Sequence, residues 1–406
     1  MKAMDALDPQ RLAERQLEID RERTRRLPEL LARKLARMSA SPLAFLRGAA
    51  PLFYEILQAR GELARGPEAE GWLVGDAHLE NFGAYGPEAA RDTSATGKRA
   101  AVFDLNDFDE AVRGPWRWDV LRLSTSLILA GRELGVGGVQ ALDLCQTLLE
   151  SHVAAAFEGE PLPTVPRPVA ALVLQVQSRS KKDLLGARTV LVNAQRRFAR
   201  GLRYQELPPD VVGQIPDALE IYRKRLPEGA RPSSEQLQIV DSAWRIAGTG
   251  SLGALRIAVL TRGKGGPEGG WIFDMKEQFS PSAALLLEGA QPPPAERVES
   301  GFRACVESPP RMLATSALGS VGLVVRRLAP QEDKLNLRQL KESDLPSLAA
   351  YLGALLGRAH RRGSVSSRRS PWTKAEQSEL LAHAVTLAGL HEAIYLALCQ
   401  RIRGAR

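Results

Sequence analysis

The densest chemistry in this sequence lies in two short stretches of its first third. The first is Gly75-Asp76-Ala77-His78-Leu79-Glu80-Asn81, where Asp76 follows an apolar run and Asn81 stands five residues on. A carboxylate that accepts a hydroxyl proton, beside an amide that ligates a metal ion, is what phosphoryl transfer needs. The same residues also suit a polar turn held by Asp and Asn side chains. The second stretch is Val102-Phe103-Asp104-Leu105-Asn106-Asp107-Phe108-Asp109-Glu110, with four acids within seven positions. Such acids repel one another unless a cation or a basic side chain neutralises them. Hard oxygen ligands at a strand end suit Mg²⁺ shared with substrate phosphates, and a solvated acidic turn is the alternative.

A third motif lies far downstream. Gly248-Thr249-Gly250-Ser251-Leu252-Gly253 is a G-x-G-x-x-G between a helical segment and a strand. A dinucleotide fold wants the reverse, strand before and helix after, so the context fits better the flap over nucleotide phosphates in protein kinases. Phe273-Asp274-Met275-Lys276-Glu277 then places Lys276 at the end of an apolar strand. Alone, that lysine reads as a surface residue. Its coupling to the glycine loop makes it a candidate phosphate ligand.

These motifs need elements to hold them. Trp72–Val74, Phe82–Tyr85 and Ala100–Leu105 are expected strands, the last two separated by a polar loop containing Asp92, Ser94 and Gly97. Leu255–Leu260, Gly270–Met275 and Val321–Arg326 are expected strands of a second β-rich patch, which begins after Ile246. Helical spacing marks the N-terminal part to about Arg65, with Ser41-Pro42 opening one helical stretch. It also marks Trp118–Glu158 (broken near Gly135–Gly138), Val169–Val176, Asp210–Leu226, Ala295–Cys305, Leu345–Arg361 and Thr373–Arg403. Thr189–Tyr204 is an expected hairpin.

Composition bounds the rest. The 406 residues suggest two lobes or domains, and 44% hydrophobic with 25% charged residues excludes disorder, collagen and coiled coil. Three cysteines, Cys145, Cys305 and Cys399, make neither a disulfide framework nor a four-ligand zinc site, which points to a reducing cytoplasm. Met1–Asp20 lacks the apolar stretch of a secretory signal. The most apolar window, Leu380–Cys399, holds His383, His391 and Glu392 and reads as a buried helix, so no membrane partner is expected. The net charge of +8 is open to three readings: nucleic acid, an anionic small ligand such as a nucleotide, or only a soluble surface. The basic stretches Arg21–Arg37, Arg179–Lys182 and Arg196–Arg203 lack a stacking pattern for nucleic acid and are expected to be solvated faces.

Asp76-x-His78-x-x-Asn81, then Asp107-Phe108, then Gly114-Pro115-x-x-x-Asp119 resembles the catalytic and metal motifs of aminoglycoside and choline phosphotransferases. Gly248–Gly253 and Lys276 resemble the nucleotide-binding lobe of the same protein-kinase-like fold. The order is cyclically shifted: the catalytic loop comes first, the glycine loop and lysine follow. The helix Tyr351–Arg361, which resembles the one usually preceding the catalytic loop, comes last. The resemblance implies an α+β, two-lobed, circularly permuted kinase-like fold, and exposed termini make permutation tolerable. The implied parts are N-terminal helices (1–70), a catalytic-loop and metal-binding region (71–235), a glycine-loop nucleotide region (236–330) and closing helices (331–406).

The resemblance also implies roles. Asp76 accepts or orients the substrate proton, and His78 fixes the catalytic loop by hydrogen bonding. Asn81 and Asp107 hold Mg²⁺, with Asp104 as the rival ligand. Lys276 pairs with the ATP phosphates, with Glu299 as its carboxylate partner, and Gly248, Gly250, Ser251 and Gly253 approach the triphosphate. Asp119 is expected to cap the following helix. The implied activity is ATP- and Mg²⁺-dependent phosphate transfer to a hydroxyl of a small molecule or protein. Nucleotidyl (AMP) transfer and a silent nucleotide-binding pseudokinase are the alternatives. Over roughly residues 40–360 the chain is also similar to the bacterial family called domain of unknown function 2252, through Ser41–Gly48, Gly75–Gly83, Phe103–Leu123, Gly248–Gly253, Met275-Lys276-Glu277 and Val325–Leu328.

Overall fold

The computed structural model of the protein describes residues 7–87, 101–193, 195–266, 268–365 and 370–404. Asp92, Ser94 and Gly97 of the expected polar loop lie outside them.

The chain opens on the helices α1 (Pro9–Arg23), α2 (Leu30–Met38), α3 (Pro42–Gly48) and α4 (Ala50–Ala59), followed by one short helical turn at Gly61–Ala64. Ser41 and Pro42 start α3 as their types predict, the Ser41 hydroxyl accepting the Ala44 amide at 3.1 Å. The first β patch then supplies β1 (Glu70–Leu73), β2 (Phe82–Tyr85), β3 (Val102–Leu105) and β4 (Val112–Pro115). β1 pairs antiparallel with β4, and β2 lies between β3 and β13 (Asp333–Lys334), so a late strand completes the early patch.

α5 (Arg117–Glu133), α6 (Gly138–Val153) and α7 (Arg167–Gln177) follow, and β5 (Thr189–Val192) and β6 (Gln195–Phe198) form the expected hairpin. α8 (Pro209–Arg225) leads into one antiparallel sheet of six strands. Its order is β11-β12-β10-β9-β8-β7, from β7 (Tyr204–Gln205), β8 (Ile239–Arg245), β9 (Arg256–Thr261), β10 (Trp271–Glu277), β11 (Ala314–Leu318) and β12 (Val321–Arg327). α9 (Pro294–Cys305) connects β10 to β11, and α10 (Leu345–Arg362) and α11 (Lys374–Gly404) close the chain. The fold is mixed α+β, as expected.

The second patch starts earlier than its texture suggested. β8 precedes Ile246 because Asp241, Ser242 and Arg245 interrupt its apolar pattern. Asp241 is buried and is satisfied by the Phe198 amide at 2.7 Å and by Arg200, so a polar residue serves as an internal strut.

The core divides. A large cluster joins the helices to β1–β4, including Phe53, Leu121, Leu148, Leu352 and Leu387. A second cluster covers one face of the six-stranded sheet, where Trp244, Ile257, Phe273, Met275 and Val325 pack against Leu219 and Tyr222 of α8. α11 is the one helix among the described residues that is long and apolar enough to cross a membrane. Leu380, Leu387, His391 and Leu398 on one side of it are buried within the chain, as expected of a core helix.

Candidate active-site cleft

Asp76, His78, Asn81 and Asp107 line one cleft together with Gly248, Gly250 and Ser251, although more than a third of the chain's residues separate the two groups in sequence. The cleft, about 110 Å³, continues into a chamber of about 320 Å³ that Asp107, Asp109, Gly248, Ser251 and Lys334 also border and that Lys276 lines. Gly253 stands apart, behind the loop.

The turn carrying Asp76 is fixed from several sides. Asp119, on the first turn of α5, does not cap its helix as expected. Its carboxylate reaches across to accept the amides of Val74 (2.6 Å) and Gly75 (2.9 Å), and His360 of α10 meets it at 3.1 Å. His360 in turn meets His152 of α6 at 2.9 Å, so three helices converge on one buried carboxylate beneath the turn. The Tyr54 hydroxyl donates to the Gly75 carbonyl at 2.6 Å. Gly75 itself has a φ of +80°, and a Cβ there would lie 1.9 Å from the Glu110 carbonyl oxygen. Gly75→Ala is therefore expected to lower stability by more than the roughly 1–2 kcal/mol of a left-handed backbone alone. Urea unfolding measures this, and an unchanged midpoint would mean that the Asp107–Glu110 turn yields freely.

Asp76 receives Arg122, whose Nε lies 2.5 Å from Oδ1 and whose side chain is fully buried. Burial outweighs that guanidinium, and with help from the nearby Glu110 and Asp107 charges pushes the Asp76 carboxyl up to about 7. His78 accepts the Glu80 amide on Nδ1 at 3.1 Å, and burial holds its imidazole well below the usual range. It is a neutral loop-fixing group, with Nε2 3.9 Å from Asp76 Oδ2. Asn81 donates its Nδ2 to the Asp76 carbonyl, which turns Oδ1 away from that bond.

Asp107 sits among cations. Burial alone would raise its carboxyl, but Lys276, Lys334 and Arg256 together hold it below the ordinary value. Lys334 feels the converse, its ammonium lowered by partial loss of hydration in the cleft against the attraction of Asp107. Lys276 forms its ion pair with Asp109, whose other oxygen accepts Gln278 at 3.3 Å.

Two expected residues lie elsewhere. Glu299 pairs with Arg303 at 2.9 Å, one turn along α9, and not with Lys276. α9 turns Val298 and Phe302 toward the chamber, and the next residue points away from it. Asp104 faces Arg362 and Arg358 of α10 and Tyr85, away from Asn81 and Asp107, and burial pushes its carboxyl up to about 6.

Arg297 and Phe302 of α9 carry no motif, yet they set the acidic turn. Buried Arg297 donates to the carbonyls of Asp109 (2.7 Å), Phe279 (2.9 Å) and Ala111, and Phe108 packs against Phe302 at 4.3 Å between ring centroids. A basic residue on the apolar side of a short helix was the available signal.

The glycine loop is held from outside by the N-terminal helices. Lys34 of α2, buried and paired with Asp20 of α1 at 2.9 Å, donates to the Gly250 carbonyl at 3.2 Å, and Arg37 donates to that of Gly248. Gly253, at φ +100°, packs so closely on the Arg23–Thr24 backbone that a Cβ would lie 2.3 Å from the Arg23 oxygen. With its carbonyls turned outward, the loop leaves the Gly250 and Ser251 amides without an acceptor among the described residues. Such amides suit an anion.

The donor set fits a divalent cation. Asn81 and the ionised Asp107 offer two hard oxygens on one wall, a number that suits Mg²⁺ completed by phosphates and water. Among the described residues no group of three or more His, Cys, Asp or Glu converges to hold a metal alone.

The sequence profile of a family described as an uncharacterized protein conserved in bacteria (DUF2252) matches residues 26–401. The chain belongs to this family. No curated protein and no solved structure matches it. The family match takes in the cleft from α2 onward, whereas α1, with Asp20 beneath the glycine loop and Arg23 on the cleft wall, precedes it.

Proposed function

We propose that the protein is an ATP- and Mg²⁺-dependent phosphotransferase acting on a hydroxyl group, with a two-lobed, circularly permuted kinase-like fold. One observation carries the reading: Asp76, Asn81 and Asp107 from the early patch share a cleft with Gly248–Ser251 and lead directly to Lys276 from the late one. The order of parts within the six-stranded sheet supports it. The glycine loop joins the first two long strands, Lys276 lies on the third, and a helix follows, as in the small lobe of a kinase.

In this reading Asp76 takes the proton of the acceptor hydroxyl, and Arg122 holds it in place. Asn81 and Asp107 hold Mg²⁺, which when bound neutralises phosphate charge. Lys276, fixed by Asp109 where other kinase-like sites use a helix glutamate, stands ready for phosphate oxygens. The free amides of the glycine loop bind the polyphosphate, while Arg37 and Lys34 keep the loop from closing on itself. The arginines of the basic stretches are partly spent internally, Arg26 on Glu277 and Arg200 on Asp241 and Glu206, which leaves little case for a nucleic-acid face. Cys145 and Cys305 are buried free thiols, in keeping with a cytoplasmic home.

Transfer of label from γ-labelled ATP tests the reading. Wild type should transfer it and Asp76→Asn should not, although both bind MgATP. Because a base must be ionised to act and burial pushes the Asp76 carboxyl up to about 7 in the metal-free cleft, the rate should fall about tenfold per pH unit on the acid side of its midpoint, which bound Mg²⁺ moves below 7. A profile flat down to pH 5 would remove Asp76 from the role of base.

A further inference from the structure

The six-stranded sheet turns one face to α8 and the other to the chamber. On the chamber face the pairing sets Lys276 opposite Arg256, and Asp274 opposite Arg326. Arg245 of β8 and Arg188 border the same space. In a sheet the residues at i and i+2 share a face, so this wall is charged by register and not by chance side-chain placement. The deep end of the chamber thus holds four guanidiniums, those of Arg188, Arg245, Arg256 and Arg326, against the carboxylates of Asp274 and Glu332.

Internal pairing does not use up that charge. Asp274 is buried and shared: Arg256 meets it through two nitrogens, at 2.8 and 2.5 Å, and Arg245 through one at 2.7 Å. Arg326 reaches Glu332 only at 3.5 Å, and Arg188 has the uncharged Tyr204 hydroxyl at 3.2 Å. The buried Nε of Arg245 meets no acceptor among the described residues. Burial, and then crowding by Arg256 and Arg188 against the pull of Asp274, depresses the Arg245 guanidinium to about 10. An added anion would relieve each of these.

We propose that the deep end of the chamber is a phosphate-binding subsite built from Arg188, Arg245, Arg256 and Arg326, so that the cleft's ligand carries phosphate there as well as beside Lys276. The inference rests on the reading of the cleft as a nucleotide site and names what lies at its far end. Planar guanidinium forks bind phosphate through paired donors, and an uncharged base offers them far less. Two sources supply that chemistry. One is the polyphosphate tail of a nucleotide lying with its tail inward. The other is a phosphate ester on the second substrate, bound beside the nucleotide.

Calorimetric titration with MgATP, inorganic tripolyphosphate, inorganic phosphate and adenosine tests this on the full chain, using wild type, Arg188→Gln and Arg326→Gln. Both positions border open space, and Arg326→Lys, which keeps the charge, controls for loss of fold. Tripolyphosphate should bind wild type and weaken about tenfold or more in each Gln variant, with Arg326→Lys in between, while adenosine binds poorly. Tripolyphosphate displacing MgATP assigns the phosphates to the nucleotide's own tail. Inorganic phosphate binding alongside saturating MgATP, with the same arginine dependence, assigns them to a second substrate. Adenosine competing as well as tripolyphosphate, with both Gln variants unchanged, overturns the subsite. Arginine-dependent tripolyphosphate binding without any MgATP binding would keep the subsite and sink the nucleotide reading.

Discussion

An Asp107→Asn protein is expected to fold, to bind ATP, and to lose phosphate transfer by roughly 10²- to 10³-fold, the scale for removing one preorganised charge-stabilising group. The neighbourhood gives this expectation a signature. Lys276, Lys334 and Arg256 all act on the Asp107 carboxylate. Neutralising it weakens the compensation of all three, leaving Lys276 to Asp109, Arg256 to Asp274 and Lys334 to Glu80. Metal-free ATP should therefore bind the variant as well as wild type or better, while the gain from adding Mg²⁺ disappears. Titrating Mg²⁺ at fixed ATP, with thermal shift and label transfer read in parallel, separates the two effects. A variant that keeps both its Mg²⁺ dependence and its rate would place the metal elsewhere.

Asp119→Ala should show the largest loss of stability of any single change near the cleft. The carboxylate is fully buried and accepts from the Val74 and Gly75 amides and from His360. Removing it strands three donors in a dry interior, at a cost on the order of 3–5 kcal/mol. Asp119→Asn retains one acceptor oxygen and should recover part of that. Urea unfolding of the three proteins provides the comparison, and an alanine variant within about 1 kcal/mol of wild type would mean that water replaces the carboxylate. Because the strut holds the turn that carries Asp76, activity should fall with stability in Asp119→Ala and less steeply in Asp119→Asn.

The parts of the cleft that were legible in the sequence were those where local pattern and tertiary role agree. Trp72–Val74, Phe82–Tyr85 and the strand carrying Lys276 alternate or run apolar between turn residues, and strands form there, the first at Glu70–Leu73 and the last extending to Glu277. Asp76, Asn81, Asp107 and the glycine loop stand at the strand ends and turns that such residues favour. Partnerships were harder. Glu299 is a sensible partner for Lys276 by chain order, but side-chain direction on α9 turns it toward Arg303, and Asp109 takes the lysine. Nothing local distinguishes Asp109 from its three acidic neighbours. Asp119 occupies a position where a helix cap and a long-range strut look alike. β8 was hidden because Asp241, against the β6 backbone, and Arg245, on the chamber wall, interrupt its apolar pattern. The N-terminal clamp on the glycine loop joins segments more than 200 positions apart (Arg37 to Gly248, Lys34 to Gly250), and no periodicity announces it.

The order of the parts along the chain bears on how the protein is made. Lys276 and Asp109 are 167 positions apart. At 5–20 residues per second, roughly 10–30 s pass on the ribosome between emergence of the acidic turn and emergence of the strand that neutralises it. Through that interval Asp104, Asp107, Asp109 and Glu110 lack the lysine, and α2 waits for the loop it grips. β13, the edge partner of β2, comes later still, and α10, which brings His360 to Asp119, comes after that. A nascent chain of this kind holds its first-made half open until nearly the last residues arrive, so a premature stop near residue 330 would leave exposed surface for proteases instead of an independently folded half.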